Sequence, residues 1–162
     1  MITQALLHQI LSYDRNTGEF TWIEQPSHSI KANTVAGRLS NRGYRQITYK
    51  GKQYSSHRLA WLYVFGEWPK GSIDHINGIK VDNSIANLRD VATQINLQNL
   101  RAPQKNNKTG YLGVCWDGYM KCYKSAIKIN GKSIHLGYYS DAAIAHDAYL
   151  TAKRTMHKGC TI

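Results

Sequence analysis

The residues most able to do chemistry lie between Ile73 and Asn99. They begin with Asp74-His75, followed by Asn77-Gly78, Asp82-Asn83, Asn87-Leu88-Arg89 and, further on, Asn96. These residue types suit hydrolysis of a phosphodiester. A hard divalent cation prefers oxygen donors, and magnesium keeps several waters beside one or two protein ligands. Asp74 offers a charged oxygen and Asn96 a neutral amide oxygen. An ion held there would contact the scissile phosphate and stabilise the leaving 3′ oxygen. His75 carries an imidazole, which suits the role of general base on water. Its other ring nitrogen needs a partner to fix the tautomer, and the Asn87 side-chain carbonyl is the candidate. Taken singly, an Asp-His pair in a loop is usually structural, and Asn and Gly near a turn are usually turn chemistry.

These groups need elements to bring them together. The segment reads as a short strand ending in Asp74-His75, an Asn- and Gly-rich loop, a second strand starting near Asn87, and a helix containing Asn96. Adjacent strand residues point to opposite faces. Asp74 and His75 therefore need a strand end or a bulge to serve one site. Upstream, residues 2–12 repeat at helical spacing, and 13–22 read as a turn feeding a strand. Residues 43–49 and the run after Lys50-Gly51-Lys52 form an expected hairpin. Ser56 is placed to cap a helix from about His57 to Phe65, which Gly66 and Pro69 end. His57 either supports the site or simply begins that helix, and the structural role is the favoured reading. His8, His28 and His146 read as incidental.

The pattern D-H-x-N-G at 74–78, D-N-x-x-x-N-L-R at 82–89 and an asparagine on the next helix resembles the HNH endonucleases of phages and mobile introns. So do the preceding His57-Arg58-Leu59-Ala60-Trp61 and Gly66-Glu67-Trp68-Pro69. The resemblance implies a ββα-metal core at about 72–99 within a nuclease module at 1–100. It implies Asp74 and Asn96 as metal ligands, His75 as general base and Asn87 as the residue that orients it. The last histidine of the family name is Asn96 here, which points to magnesium or manganese and away from zinc.

After a polar linker at 101–106 the pattern restarts. Residues 111–116, 121–129 and 132–138 read as three strands separated by Asp117-Gly118 and Asn130-Gly131, the latter the stronger hairpin signal. Asp141 is placed to cap a final helix carrying Ala145, Ala148 and Tyr149. Thr109-Gly110-Tyr111-Leu112-Gly113-Val114, Trp116, Leu136-Gly137-Tyr138-Tyr139 and the alanine-rich helix resemble the Apetala/ethylene-response-factor DNA-binding domain. That resemblance covers 107–162 and implies a three-stranded antiparallel sheet set in a DNA groove with one helix packed behind it. Tyr123, Ser125 and Ile127 would face the core. Trp116, Lys121, Lys124, Lys128 and Lys132 would project towards DNA. Lysine here stands where the plant domains mostly carry arginine, so phosphate contact should outweigh base readout.

Charge agrees with a polyanionic partner. The 162 residues carry a net charge of +11, and 101–162 hold ten Lys or Arg against three acids. An excess of this size favours nucleic acid. Hydrophobic residues make up 42%, no apolar run approaches a membrane span, and Met1 to Leu11 lacks the marks of a signal peptide. A cytoplasmic location, in a bacterium or a phage-infected host cell, is the default. Cys115, Cys122 and Cys160 form no C-x-x-C pair and read as reduced thiols.

The expectation is an α+β chain in which an HNH module is joined to the three-stranded sheet with its packed helix. It would be a metal-dependent endonuclease acting on double-stranded DNA, of homing or phage type, with no membrane partner. A monomer would nick one strand, and a dimer would be needed for a concerted double-strand break. The alternative is a non-catalytic, sequence-tolerant DNA-binding regulator. A nuclease directed at RNA is a third reading.

Overall fold

The computed structural model describes residues 2–162, and its fold is α+β. The chain divides into two compact units, Met1–Thr93 and Gln94–Ile162. Among the described residues no helix is long and apolar enough to cross a membrane.

The first unit opens with α1 (Gln4–Ile10), whose N-cap Thr3 accepts the Leu6 N–H at its side chain. The helical spacing of 2–12 overshoots at its end. Leu11–Tyr13 is already strand β1, paired antiparallel with β2 (Phe20–Trp22). The helix yields there because Leu11 and Tyr13 alternate buried–exposed–buried and pair with Trp22 and Phe20. A three-stranded antiparallel sheet follows, made of β3 (Arg38–Leu39), β4 (Arg45–Tyr49) and β5 (Lys52–Ser55) in that spatial order. Ile47 on β4 turns into the core with Leu7, Phe20, Leu59 and Leu88. Arg38, Gln46 and Ser55 sit in register with one another, as do Thr48 and Gln53. The period of two therefore gives this sheet a polar face opposite Ile47.

Helix α2 (Ser56–Phe65) packs on the sheet and ends at Gly66. Its N-cap is Ser55, not Ser56, and no side-chain cap bond forms there. Ser56 is the first helical residue and is fully buried, with a hydroxyl that meets no partner. The hairpin β6 (Ser72–His75) and β7 (Leu88–Val91) completes the unit, its ends joined by a loop and a short 3-10 turn at Ile85–Asn87.

The second unit begins within α3 (Thr93–Gln98). The division falls ahead of 101–106, because the segment around α3 packs against residues 153–161 of its own unit. Then come β8 (Val114–Asp117), β9 (Cys122–Ile129) and β10 (Lys132–Tyr139), antiparallel with β9 central, and α4 (Ala142–Met156). Asp141 caps α4 with bonds from the N–H groups of Ala143 and Ile144. Tyr149 and Ala152 of α4 cover Ile127, and Ser125 is fully buried beside it.

The register corrects the expected common face of the five candidate DNA-binding residues. Trp116 stands opposite Tyr123, and Lys132 opposite Ile129, so both lie on the face that carries Ser125 and Ile127. Lys124 and Lys128 lie on the other face, with Cys115 opposite Lys124 and Ser133 opposite Lys128. Lys121 belongs to the turn before β9, with φ +51°. Trp116 is 53% exposed although it shares the core side, because it lies at the end of the sheet against Tyr123.

The state of Ser56 gives the first prediction. A capping serine loses about 1 kcal/mol on change to alanine. Ser56→Ala is expected to leave stability unchanged or raise it by up to about 1 kcal/mol, since it removes an unsatisfied buried hydroxyl. Urea unfolding measures this, and a clear loss would return the capping role to Ser56.

Candidate active site

The hairpin β6–β7 pairs Asp74 with Arg89 and His75 with Leu88, with no bulge. Asp74 and His75 therefore point to opposite faces, and His75 is the last residue of its strand. Each is only 5% exposed. The Arg89 guanidinium lies across from Asp74, with Nη2 2.7 Å and Nε 2.9 Å from Oδ2. Two charge-assisted bonds to one oxygen compensate a carboxylate that burial would otherwise penalise.

His75 Nε2 donates to the side-chain carbonyl of Asn83 at 3.1 Å. An amide oxygen only accepts, so the proton stays on Nε2 and the basic lone pair on Nδ1. The expected partner was Asn87, and its amide is used elsewhere. Asn87 Oδ1 accepts the Asn77 N–H at 2.9 Å, and its Nδ2 donates to the Asp82 carbonyl at 2.8 Å. The register explains the exchange. Leu88 stands opposite His75, which carries Asn87 one step past the ring, where its carbonyl accepts the Ile76 N–H. Asn87 therefore fastens the two arms of the loop, and Asn83 holds the imidazole.

Asn83 is held in turn. It is 1% exposed, and its carbonyl accepts the Tyr13 hydroxyl at 2.7 Å. The β1–β2 turn presses on the same point. Gly18 has φ +74°, and a Cβ there would lie 2.2 Å from the Asn83 carbonyl carbon, so that turn admits no side chain. Asp82 binds Ser84 Oγ at 2.6 Å and Asn77 Nδ2 at 2.6 Å. The Ser84 hydroxyl bond leads the contacts that keep its carboxyl below the usual aspartate range.

His57 is nearer to this centre than a helix-starting residue needs to be. Its ring meets that of His75 edge-on at 5.3 Å, and Tyr44 lies 5.3 Å from His57 and 6.0 Å from His75. Its Nδ1 is buried and unpartnered. Burial, then the positive potentials of His75 and Arg58, push its pKa down to about 4. A cleft of about 730 Å³ opens beside it, lined by Arg38, Arg42, Gln46 and Gln53 among others. Sequence reasoning passed over Asn83, Tyr44 and this cleft. The Asp82-Asn83 pair was visible as part of a motif, but nothing in it says which asparagine reaches the ring.

Asn96 lies in the second unit, half-buried on α3, and its carbonyl accepts the Asn99 N–H at 3.0 Å. Among the described residues no group of three or more His, Cys, Asp or Glu could close around a metal ion. A single buried carboxylate such as Asp74 fits a hard cation that retains water, since such an ion needs only one or two protein ligands.

The depressed His57 pKa fixes the sign of a pH effect. The unfolded ring takes up a proton near 6.5 and the folded one only near 4, so His57 destabilises the fold as pH falls through that window. Wild type is expected to lose on the order of 5 °C more in melting temperature than His57→Phe between those limits. Equal losses in the two proteins, measured by calorimetry, would remove His57 from the proton balance.

The family model for HNH endonucleases matches residues 54–98, the stretch that contains β6, the loop, β7 and α3. Protein 3.8 of Escherichia phage T7 is 30% identical over 92 residues, covering 56% of this chain and 73% of its own length. A solved structure of DNA binding and cleavage by the HNH homing endonuclease I-HmuI is 28% identical, with a TM-score of 0.44 over 56% of this chain. The chain spans about half the length of that protein, 51%. The buried Asp74-His75 pair at the end of β6 lies inside the matched segment, and the chain belongs to the HNH endonuclease family.

Proposed function

We propose that the chain is a metal-dependent DNA endonuclease in which His75 activates water and Asp74 and Asn96 ligate a magnesium or manganese ion. The observation that carries this reading is the 3.1 Å contact of His75 Nε2 with Asn83 Oδ1. Asn83 holds the Nε2 proton, so Nδ1 is the atom that takes the proton from water. The Arg89 guanidinium pairs with Asp74 Oδ2 and compensates the buried carboxylate that would ligate the ion. The ion would polarise the scissile phosphate and stabilise the leaving 3′ oxygen. The products expected from family resemblance are 5′-phosphate and 3′-hydroxyl ends. One chain carries one such centre, so a monomer nicks a single strand.

DNA is the substrate the charge pattern favours. Residues 25–66 contain seven Lys or Arg and no acid. Arg38, Gln46, Thr48, Gln53 and Ser55 form the polar face of β3–β5, which borders the cleft beside His57. Guanidinium and amide groups on a sheet are suited to base edges, and the cations to phosphates. The second unit, which we read from its sequence as a DNA-binding module, adds Lys124 and Lys128 on the face away from Ile127. It would raise the local concentration of the nuclease on DNA.

Supercoiled plasmid with magnesium, beside an EDTA control and His75→Ala, tests the reading. Wild type is expected to nick and the variant to nick about 10²–10⁴-fold more slowly. Salt-sensitive binding without metal-dependent nicking on plasmid or genomic DNA would favour the non-catalytic regulator. Arg38→Ala is expected to weaken binding across sequences and to reduce the salt slope by about 1. An unchanged slope would move the DNA path off this face.

A further inference from the structure

Helix α3 runs from Thr93 to Gln98, six residues with no side chain fully buried. A helix this short does not persist on its own hydrogen bonds. It nevertheless carries Asn96, so something must hold it.

The segment after α4 does so. His157 turns the chain, with Nε2 on the Lys128 carbonyl at 3.0 Å and its own carbonyl accepting the Cys160 N–H at 3.0 Å. That turn lays Gly159 against α3. The Gly159 N–H donates to Gln98 Oε1 at 2.9 Å, and a Cβ at 159 would stand 2.2 Å from the Ile95 carbonyl oxygen. Only glycine allows that approach. Thr161 Oγ1 bonds the side-chain carbonyl of Asn99, itself 5% exposed. Arg101 donates to Thr161 Oγ1 at 2.8 Å and to its carbonyl at 3.1 Å. Lys153, 1% exposed, gives its ammonium to the Leu100 carbonyl. Ile95, Gln98, Asn99, Leu100 and Arg101 are thus each met by residues between 153 and 161.

We propose that residues 157–161 form a positioning clamp that sets Asn96 for metal ligation, so that the sheet module fixes the catalytic helix as well as binding DNA. The inference rests on the reading of Asn96 as a metal ligand. Gly159 and Thr161 touch neither substrate nor ion, and act through α3. Their loss should reach metal affinity and turnover while leaving DNA affinity alone. An interaction that only stabilised the fold would lower all three together.

The test compares Gly159→Val and Thr161→Val with wild type in the whole chain. Hydrogen exchange reads residues 95–101, with β9 as the control for the fold. Manganese binding is read by electron paramagnetic resonance. Nicking is measured at saturating DNA, and DNA affinity in EDTA. The clamp predicts exchange at 95–101 faster by tenfold or more with β9 protected, manganese affinity lower by about tenfold, and kcat reduced at unchanged KM. Higher manganese should restore much of the rate. Thr161→Val removes only hydroxyl bonds and decides the matter if Gly159→Val also exposes β9. Wild-type exchange at 95–101 in both variants, or unchanged manganese affinity with α3 released, would overturn the proposal. Asn96→Ala with unaltered manganese binding would instead defeat the ligand reading, while the exchange data would still report whether the segment holds α3.

Discussion

The hydrogen bond from His75 Nε2 to Asn83 Oδ1 is the constraint on which the candidate site depends. An imidazole without a fixed partner samples two tautomers and several orientations, and only one of them presents the basic nitrogen usefully. Fixing it requires an acceptor that cannot rotate. Burial limits Asn83, and its backbone is held by the Tyr13 hydroxyl on its main-chain carbonyl and by the Gly18 turn. The N-terminal hairpin therefore works as a buttress for a loop about seventy residues away. Burial of Tyr13, which raises its hydroxyl pKa, keeps that donor protonated at every ordinary pH.

Electrostatics around the site are divided by the strand. On one face Arg89 neutralises Asp74, and on the other His75 meets His57, which burial keeps neutral. A second cationic imidazole at that distance would lower the basicity of the first. Keeping His57 uncharged removes this penalty, and its aromatic edge together with Tyr44 walls off one side of the His75 ring. Positive charge lies instead on the polar face of β3–β5 and on the second unit, where solvent keeps its cost low.

Position along the chain and membership of a compact unit diverge at α3. The helix follows β7 directly in sequence, yet its last residue Gln98 and the following Asn99 are bonded by the segment beyond α4. Too few residues and no buried side chain leave it dependent on distant partners. This explains why a polar stretch at 101–106 reads as a linker and is nevertheless tied down at its start by Arg101.

The amino-acid sequence by itself determined most of the element types and the family pattern, and it supplied the candidates for the reacting residues and the partner. Period and turn chemistry announce β6, β7, β8–β10 and α4, because buried faces repeat at two or at 3.6 residues and Asn-Gly or Asp signals mark the ends. The Asp74-His75 pair and the later asparagines stood out because few chemistries need them together. Local signals stop where a side chain chooses among equivalent partners. Asn83 and Asn87 are the same residue type four positions apart, and only the pairing of His75 with Leu88 decides which one reaches the ring. Ser55 and Ser56 are equally good caps in sequence, and packing buries one of them. Trp116 and Lys132 carry the residue types expected at a DNA face, and cross-strand register turns them to the other side. In each case the deciding quantity is a non-local contact, fixed by strand pairing or by burial against a distant element, and no window along the chain contains it.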